Sequence, residues 1–143
     1  MKTLGEVFAS QFGINLPQQT SQGELTQLNI NKQSRLIILS VNFAGLIDRN
    51  LLFETEKSIT KVLAYHTVIK PHFPTELFSA DYFSQLYIAV RRDIPSINGT
   101  LNNAEVKFEN NILTINLLNG GKSLLDSKGF DKALVKLISE EFN

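Results

Sequence analysis

Glu105–Leu118 reads EVKFENNILTINLL, and this stretch decides the fold class. Val106 and Phe108 alternate with charged residues, and Leu113, Ile115 and Leu117 resume the alternation after Asn110-Asn111. Period-two spacing predicts two strands, and an Asn pair tolerates the positive φ that a two-residue hairpin turn demands. The stretch that follows, NGGKSLLDSKGFDKALVKLISEEF, places Phe130, Leu134, Leu137 and Ile138 on one face of a long amphipathic helix. Ser123 is the expected N-cap of that helix. A hairpin closed by a helix is an α+β unit, and nothing within it is poised for chemistry.

Working outward, Leu4, Val7, Phe8 and Phe12 have helical spacing and predict a short leading helix ending near Gly13. Residues 15–23, NLPQQTSQG, are rich in turn formers and amides and read as a loop. Leu28 and Ile30 begin a strand, residues 31–34 turn, and RLIILSVNF (35–43) is a strongly apolar second strand. Asp48 caps a helix with Leu52, Ile59, Val62 and Leu63 inward, and HTVIKPHF (66–73) is a third strand whose Pro71 belongs at an edge or terminus. Pro71 and Pro74 mark the internal boundary. Beyond it, Ser79 is the expected N-cap of a helix carrying Phe83, Leu86, Tyr87 and Val90, and Pro95 opens a second short helix. The expected architecture is α+β with two small subdomains. Residues 1–75 hold the leading helix and ββαβ, and residues 76–143 hold ααββα.

Composition narrows the function. The 143 residues carry 14 basic and 14 acidic side chains, a formal net charge of zero. A dedicated nucleic-acid binder draws its affinity from phosphate neutralisation by Lys and Arg, so that balance argues against one. There is no cysteine, which excludes disulfides, thiolate metal sites and thiol nucleophiles and fits a reducing cytosol. The first residues, MKTLGEVFASQFG, lack the continuous apolar run of a signal peptide, and no run is long enough to span a membrane. The expected location is the cytoplasm. Asn98-Gly99-Thr100 matches a glycosylation sequon but has no secretory context.

Each candidate site has a plain structural reading beside it. Gly120-Gly121-Lys122-Ser123 sits between a strand and a helix, as a phosphate loop does, but position 116, where the motif requires glycine, is Asn. The structural reading is a strand-to-helix turn; the functional remnant is a backbone-phosphate contact by Lys122 and Ser123. His66 and His72 are six apart in one strand, about 20 Å at 3.3 Å per residue, and cannot share a metal ion. Arg91-Arg92 complements a helix C-terminus, and its alternative role is an anchor for an acidic partner or a nucleic-acid phosphate. The carboxylates are scattered over solvated faces, and no Gly-x-Ser-x-Gly elbow accompanies the serines. An enzyme is therefore not expected, nor a cofactor, metal or small-molecule substrate. Phe73, Phe78 and Tyr82, around the Pro-rich boundary, are the aromatics least easily assigned inward; they are either an exposed partner site or packing between the halves.

Those residues carry a family resemblance. The strands in LNINKQSRLIILSVNF, the helix LLFETEKSITKVLAYH and the strand ending IKPHF resemble the first N-terminal domain of PolC, the DNA polymerase III alpha subunit of low-GC Gram-positive bacteria. The second half resembles its second N-terminal domain, in Tyr82, Pro95, Leu101-Asn102, Asn110-Asn111 and the helix after Ser123. It is also similar to the C-terminal domain of the clamp-loader tau subunit, itself likened to a truncated type II KH fold. The resemblance implies a non-catalytic module of a DNA-directed DNA polymerase that docks replisome proteins, with clamp-loader tau or the helicase as partner. It also implies an excised fragment whose parent continues past Asn143. Phe73, Phe78, Tyr82, Arg91 and Arg92 are the expected partner-binding residues. The alternative is a KH-like module that binds single-stranded nucleic acid, against which DIPSING (93–99) offers no Gly-x-x-Gly loop.

Overall fold

Short polar signals set the helix ends. In the computed structural model, which describes residues 2–97, 101, 104–117 and 120–142, α1 (Leu4–Phe12) opens on a capping box. The Thr3 hydroxyl accepts from the Glu6 N–H at 3.2 Å, and the Glu6 carboxylate accepts from the Thr3 N–H at 3.3 Å. Gly13 closes the helix in the left-handed region at φ 66°. Leu4 and Phe8 are buried, whereas Phe12, on the same apolar spacing, is largely exposed.

The segment expected to be a loop contains one helical turn, α2 (Gln18–Ser21). A tertiary contact outweighs its amide-rich composition: Thr20 is fully buried, and its hydroxyl lies 2.9 Å from that of Thr55. β1 (Glu24–Asn31) and β2 (Leu36–Asn42) then pair antiparallel, with a bulge between Leu25 and Gln27. Asp48 caps α3 (Arg49–Leu63), its carboxylate accepting from the Asn50 N–H at 2.8 Å. This helix is the crossover to β3 (His66–His72), which pairs parallel with β2 and completes a sheet of order β1-β2-β3.

One face of this sheet is the core. Ile37, Leu39 and Val41 of β2 and Thr67, Ile69 and Pro71 of β3 are buried by strict alternation. Leu52 and Ile59 of α3 are buried as their spacing predicts, but Val62 is 55% exposed and Leu63 only half-buried. Arg49, Thr55 and Glu56 are the inward residues instead. Each has a polar partner, which is what makes burial of such groups tolerable.

In the second half, a single 3-10 turn at Ala80–Tyr82 separates Ser79 from α4 (Phe83–Asp93), so Ser79 does not cap that helix. α4 buries Phe83, Leu86, Ala89 and Val90, and Pro95 opens one 3-10 turn ending at Ile97. β4 (Glu105–Glu109) and β5 (Ile112–Asn116) form the expected hairpin, with Asn110 at φ 51° and Asn111 at φ 62°. The single closing helix of the sequence reading is two helices, α5 (Lys122–Ser127) and α6 (Phe130–Glu141). Gly129 separates them at φ 67°, a conformation that ends a helix. Gly121, not Ser123, occupies the N-cap of α5. Asn98-Gly99-Thr100 and Asn102 lie outside the described residues.

The fold is α+β, with a short N-terminal helix, a three-stranded sheet and a two-stranded sheet. It divides into two compact units, Met1–Leu77 with Glu141–Asn143, and Phe78–Glu140.

Gly23 has no room for a side chain, and its carbonyl accepts from the Leu4 N–H at 2.8 Å. A Cβ there would overlap Val41 and lie 2.5 Å from the Phe43 ring. Gly23→Ala is therefore expected to destabilise the protein by about 1–3 kcal/mol, the usual cost of overpacking. Urea unfolding measures it, and an unchanged midpoint would show that β2 gives way freely.

Candidate functional site

The two edges of the three-stranded sheet are treated oppositely. The His66 N–H donates to the Arg35 carbonyl and the Phe43 N–H to the His72 carbonyl, so the even-numbered residues of β3 bond to β2. Residues 67, 69, 71 and 73 point their backbone away from the sheet, where an edge strand offers open donors. Here each position is dealt with. The Thr67 N–H donates to Thr60 Oγ1 at 3.1 Å, and the Ile69 N–H donates to Glu56 Oε2 at 2.7 Å. Pro71 has no N–H, and the Phe73 N–H donates to the Glu141 carbonyl at 2.7 Å. Beside that last bond, Arg49 donates from Nη2 to Glu141 Oε1 at 2.5 Å, a pair with side chains 4% and 3% exposed. Phe73 stacks on Phe43 (centroids 5.9 Å) and meets Phe142 at a tilt (5.4 Å). β3 is sealed.

β1 is open. Because the odd residues of β2 face β3, its even residues face β1, and their partners Gln27, Asn29 and Asn31 bond inward. Leu28 and Ile30 consequently aim their N–H and C=O groups outward, and no described residue pairs with them. Only the start of the strand is covered, where the Leu25 N–H donates to the Lys2 carbonyl and Thr3 bridges Glu24. The Leu28 and Ile30 side chains lie opposite Leu39 and Ile37, on the helix-covered face, yet they are 48% and 54% exposed. A helix about 10 Å across covers roughly two strands spaced 4.8 Å apart, so α3 over β2 and β3 leaves β1 bare. Glu56 and Thr60 serve the β3 flank of α3, and Thr55 meets α2 on the other flank. Val62, two turns after Thr55, lies on that second flank of α3 and is exposed. Leu28, Ile30, Val62 and the outer backbone of β1 make the candidate site.

The residues selected from sequence are placed elsewhere. Phe73 and Tyr82 are 3% and 4% exposed and so present no face to a partner; aromatic surface near the Pro boundary is consumed by packing. Phe78 is half-buried and meets Phe108 edge-on at 4.6 Å. The Arg91 guanidinium lies 5.5 Å over the Tyr87 ring, while Arg92 is exposed. Lys122 and Ser123 are exposed on the six-residue α5, and Lys122 bonds Asp126 at 2.8 Å. That hydrogen bond and the Asp126 charge hold the Lys122 ammonium above its ordinary pKa. Phe73 belongs to the first unit and the other six to the second.

No protein-family model, curated protein or solved structure matches this chain. Among the described residues, no group of three His, Asp or Glu could hold a metal ion, and no helix is long and apolar enough to cross a membrane. An open groove of about 640 Å³ runs along α1 and residues 14–22. Of its polar lining residues, Thr3 and Glu6 bond each other in the capping box and Ser21 bonds the Gln18 carbonyl. Nothing there converges on a reacting atom.

The sealed edge yields a prediction. Glu56→Ala removes the acceptor of a buried amide and is expected to cost about 1.5–3 kcal/mol, whereas Glu56→Gln keeps an acceptor and costs less. Amide hydrogen exchange should show Ile69 deprotected in the alanine variant; unchanged protection would mean that another group seals this edge.

Proposed function

We propose that this chain is a non-catalytic protein-interaction module, the N-terminal part of a PolC-type replicative DNA polymerase. It docks a replisome protein, clamp-loader tau or the replicative helicase, in the cytoplasm. The observation that carries the interaction role is the asymmetry of the sheet: one edge is closed donor by donor, the other open beside exposed Leu28, Ile30 and Val62. Bare aliphatic surface next to unpaired strand backbone suits strand addition, in which main-chain bonds supply affinity and side-chain pockets supply selectivity. The replisome assignment is supported by the sequence resemblance alone. Formal neutrality and the Lys122–Asp126 pairing favour a protein partner over a nucleic acid.

The test is direct titration of the purified chain against purified tau and helicase subunits, with and without nuclease treatment. Leu28→Lys with Ile30→Lys should weaken binding by about tenfold or more, because each lysine sets a charge where the partner would bury apolar surface. Arg92→Ala, at an exposed position of the second unit, tests the anchor expected from the resemblance: weaker binding keeps Arg92 in the interface, and unchanged affinity removes it. Absence of binding to either subunit would remove the replisome assignment. Binding that instead falls steeply with salt and requires single-stranded DNA would replace it with the nucleic-acid reading.

A further inference from the structure

The open edge has a pairing symmetry of its own. Its two outward-facing residues, Leu28 and Ile30, flank Asn29. When a second β1 is laid antiparallel about a two-fold axis at Asn29, Leu28 of each chain faces Ile30 of the other. Both are then hydrogen-bonded pairs, so every outward N–H and C=O of the two residues finds a partner. Centring the axis on Leu28 would bring in the bulge residue Thr26, and centring it on Ile30 would bring in Lys32, beyond the strand. Only the Asn29 register uses all of these groups.

We propose that two copies of this chain pair through β1 around that axis, joining two three-stranded sheets into one continuous sheet. The inference rests on reading β1 as an interaction edge and names its occupant. Two observations favour a second copy. A two-fold axis normal to the sheet keeps the same face up in both chains, so Leu28 and Ile30 of each copy extend the apolar floor of the other, with α3 and Val62 at either side. Finally, β1 carries no charged residue from Leu25 to Asn31, whereas β3 holds both the Lys70 and the Pro71 that discourage strand pairing.

The chain has no cysteine, so one introduced thiol reports the register without ambiguity. At a two-fold axis on Asn29, the two Asn29 Cα atoms form a non-hydrogen-bonded pair about 4.5 Å apart, inside the disulfide range. Gln27, on the same exposed face, pairs with Asn31 of the other copy and lies about 13 Å from its own equivalent. Asn29→Cys should therefore give a covalent dimer under mild oxidation, and Gln27→Cys should not. Sedimentation of the unmodified chain should show a dimer whose population rises with concentration. Leu28→Lys with Ile30→Lys should raise its dissociation constant by about tenfold or more while circular dichroism stays unchanged. If the lysine variant fails to fold, the amides of Leu28 and Ile30 in the unmodified chain give the same answer by exchanging faster on dilution. A monomer at all concentrations, or equal crosslinking at positions 27 and 29, overturns the proposal. A monomer that still binds tau or helicase through β1 overturns it and leaves the proposed function standing. A dimer centred on Asn29 that binds neither subunit supports it while removing the replisome assignment.

Discussion

One helix cannot cover three strands, and the first unit is organised around that shortfall. α3 is the crossover between the parallel strands β2 and β3 and packs against β3, and Ile37, Leu39, Val41, Thr67 and Ile69 of those two strands are buried. With its axis fixed there, its two flanks have different work. One reaches past β3 with Glu56 and Thr60 and bonds the outward amides of Ile69 and Thr67. The other meets α2 through Thr55, and the first residues of β1 are covered by Lys2 and Thr3 instead. The buried polar residues and the bare aliphatic ones are thus two consequences of the same geometry.

The sealed edge also depends on the end of the chain. Phe73 N–H bonds the Glu141 carbonyl, the Thr75 hydroxyl bonds the Phe142 carbonyl at 2.9 Å, and Arg49 holds the Glu141 carboxylate. Replacing one partner of such a buried ion pair strands the other in the interior, at a cost of about 3–5 kcal/mol. A sequence separation of 92 residues makes this contact invisible to local reasoning. Periodicity ranks Arg49 and Glu141 as surface residues, because charge is normally solvated and the pattern carries no information on what arrives from elsewhere in the chain.

Where the determinant was local, the sequence was readable. The Asn110-Asn111 turn, the Asp48 cap and the Gly13 stop are each set by a residue's own backbone or side-chain chemistry, and each stands where the pattern puts it. Pro71 stands on an edge strand for the same reason. Ser79 and Ser123 were misread because capping requires the right backbone geometry as well as a hydroxyl. A 3-10 turn and a left-handed Gly121 intervene. The division of the closing helix at Gly129 competes with an apolar period that runs on to Leu134 and looks continuous.

The candidate site was illegible for a different reason. Aromatics and arginines drew attention because they dominate known interfaces, yet Phe73, Tyr82, Phe78 and Arg91 are spent on packing and ring contacts within their units. Leu28 and Ile30 look like any inward strand pair, and their spacing is indeed that of a core face. Their exposure follows from the width of a helix laid two strands away. One signal was nonetheless present in the sequence. The opposite face of β1 is Gln27, Asn29 and Asn31, polar but uncharged, on a strand that lacks the Lys or Pro by which an exposed edge discourages pairing. A protein that seals β3 amide by amide while leaving β1 beyond Leu25 with neither cover nor charge treats the two edges as different kinds of surface, and strand pairing is the interaction to which that difference corresponds.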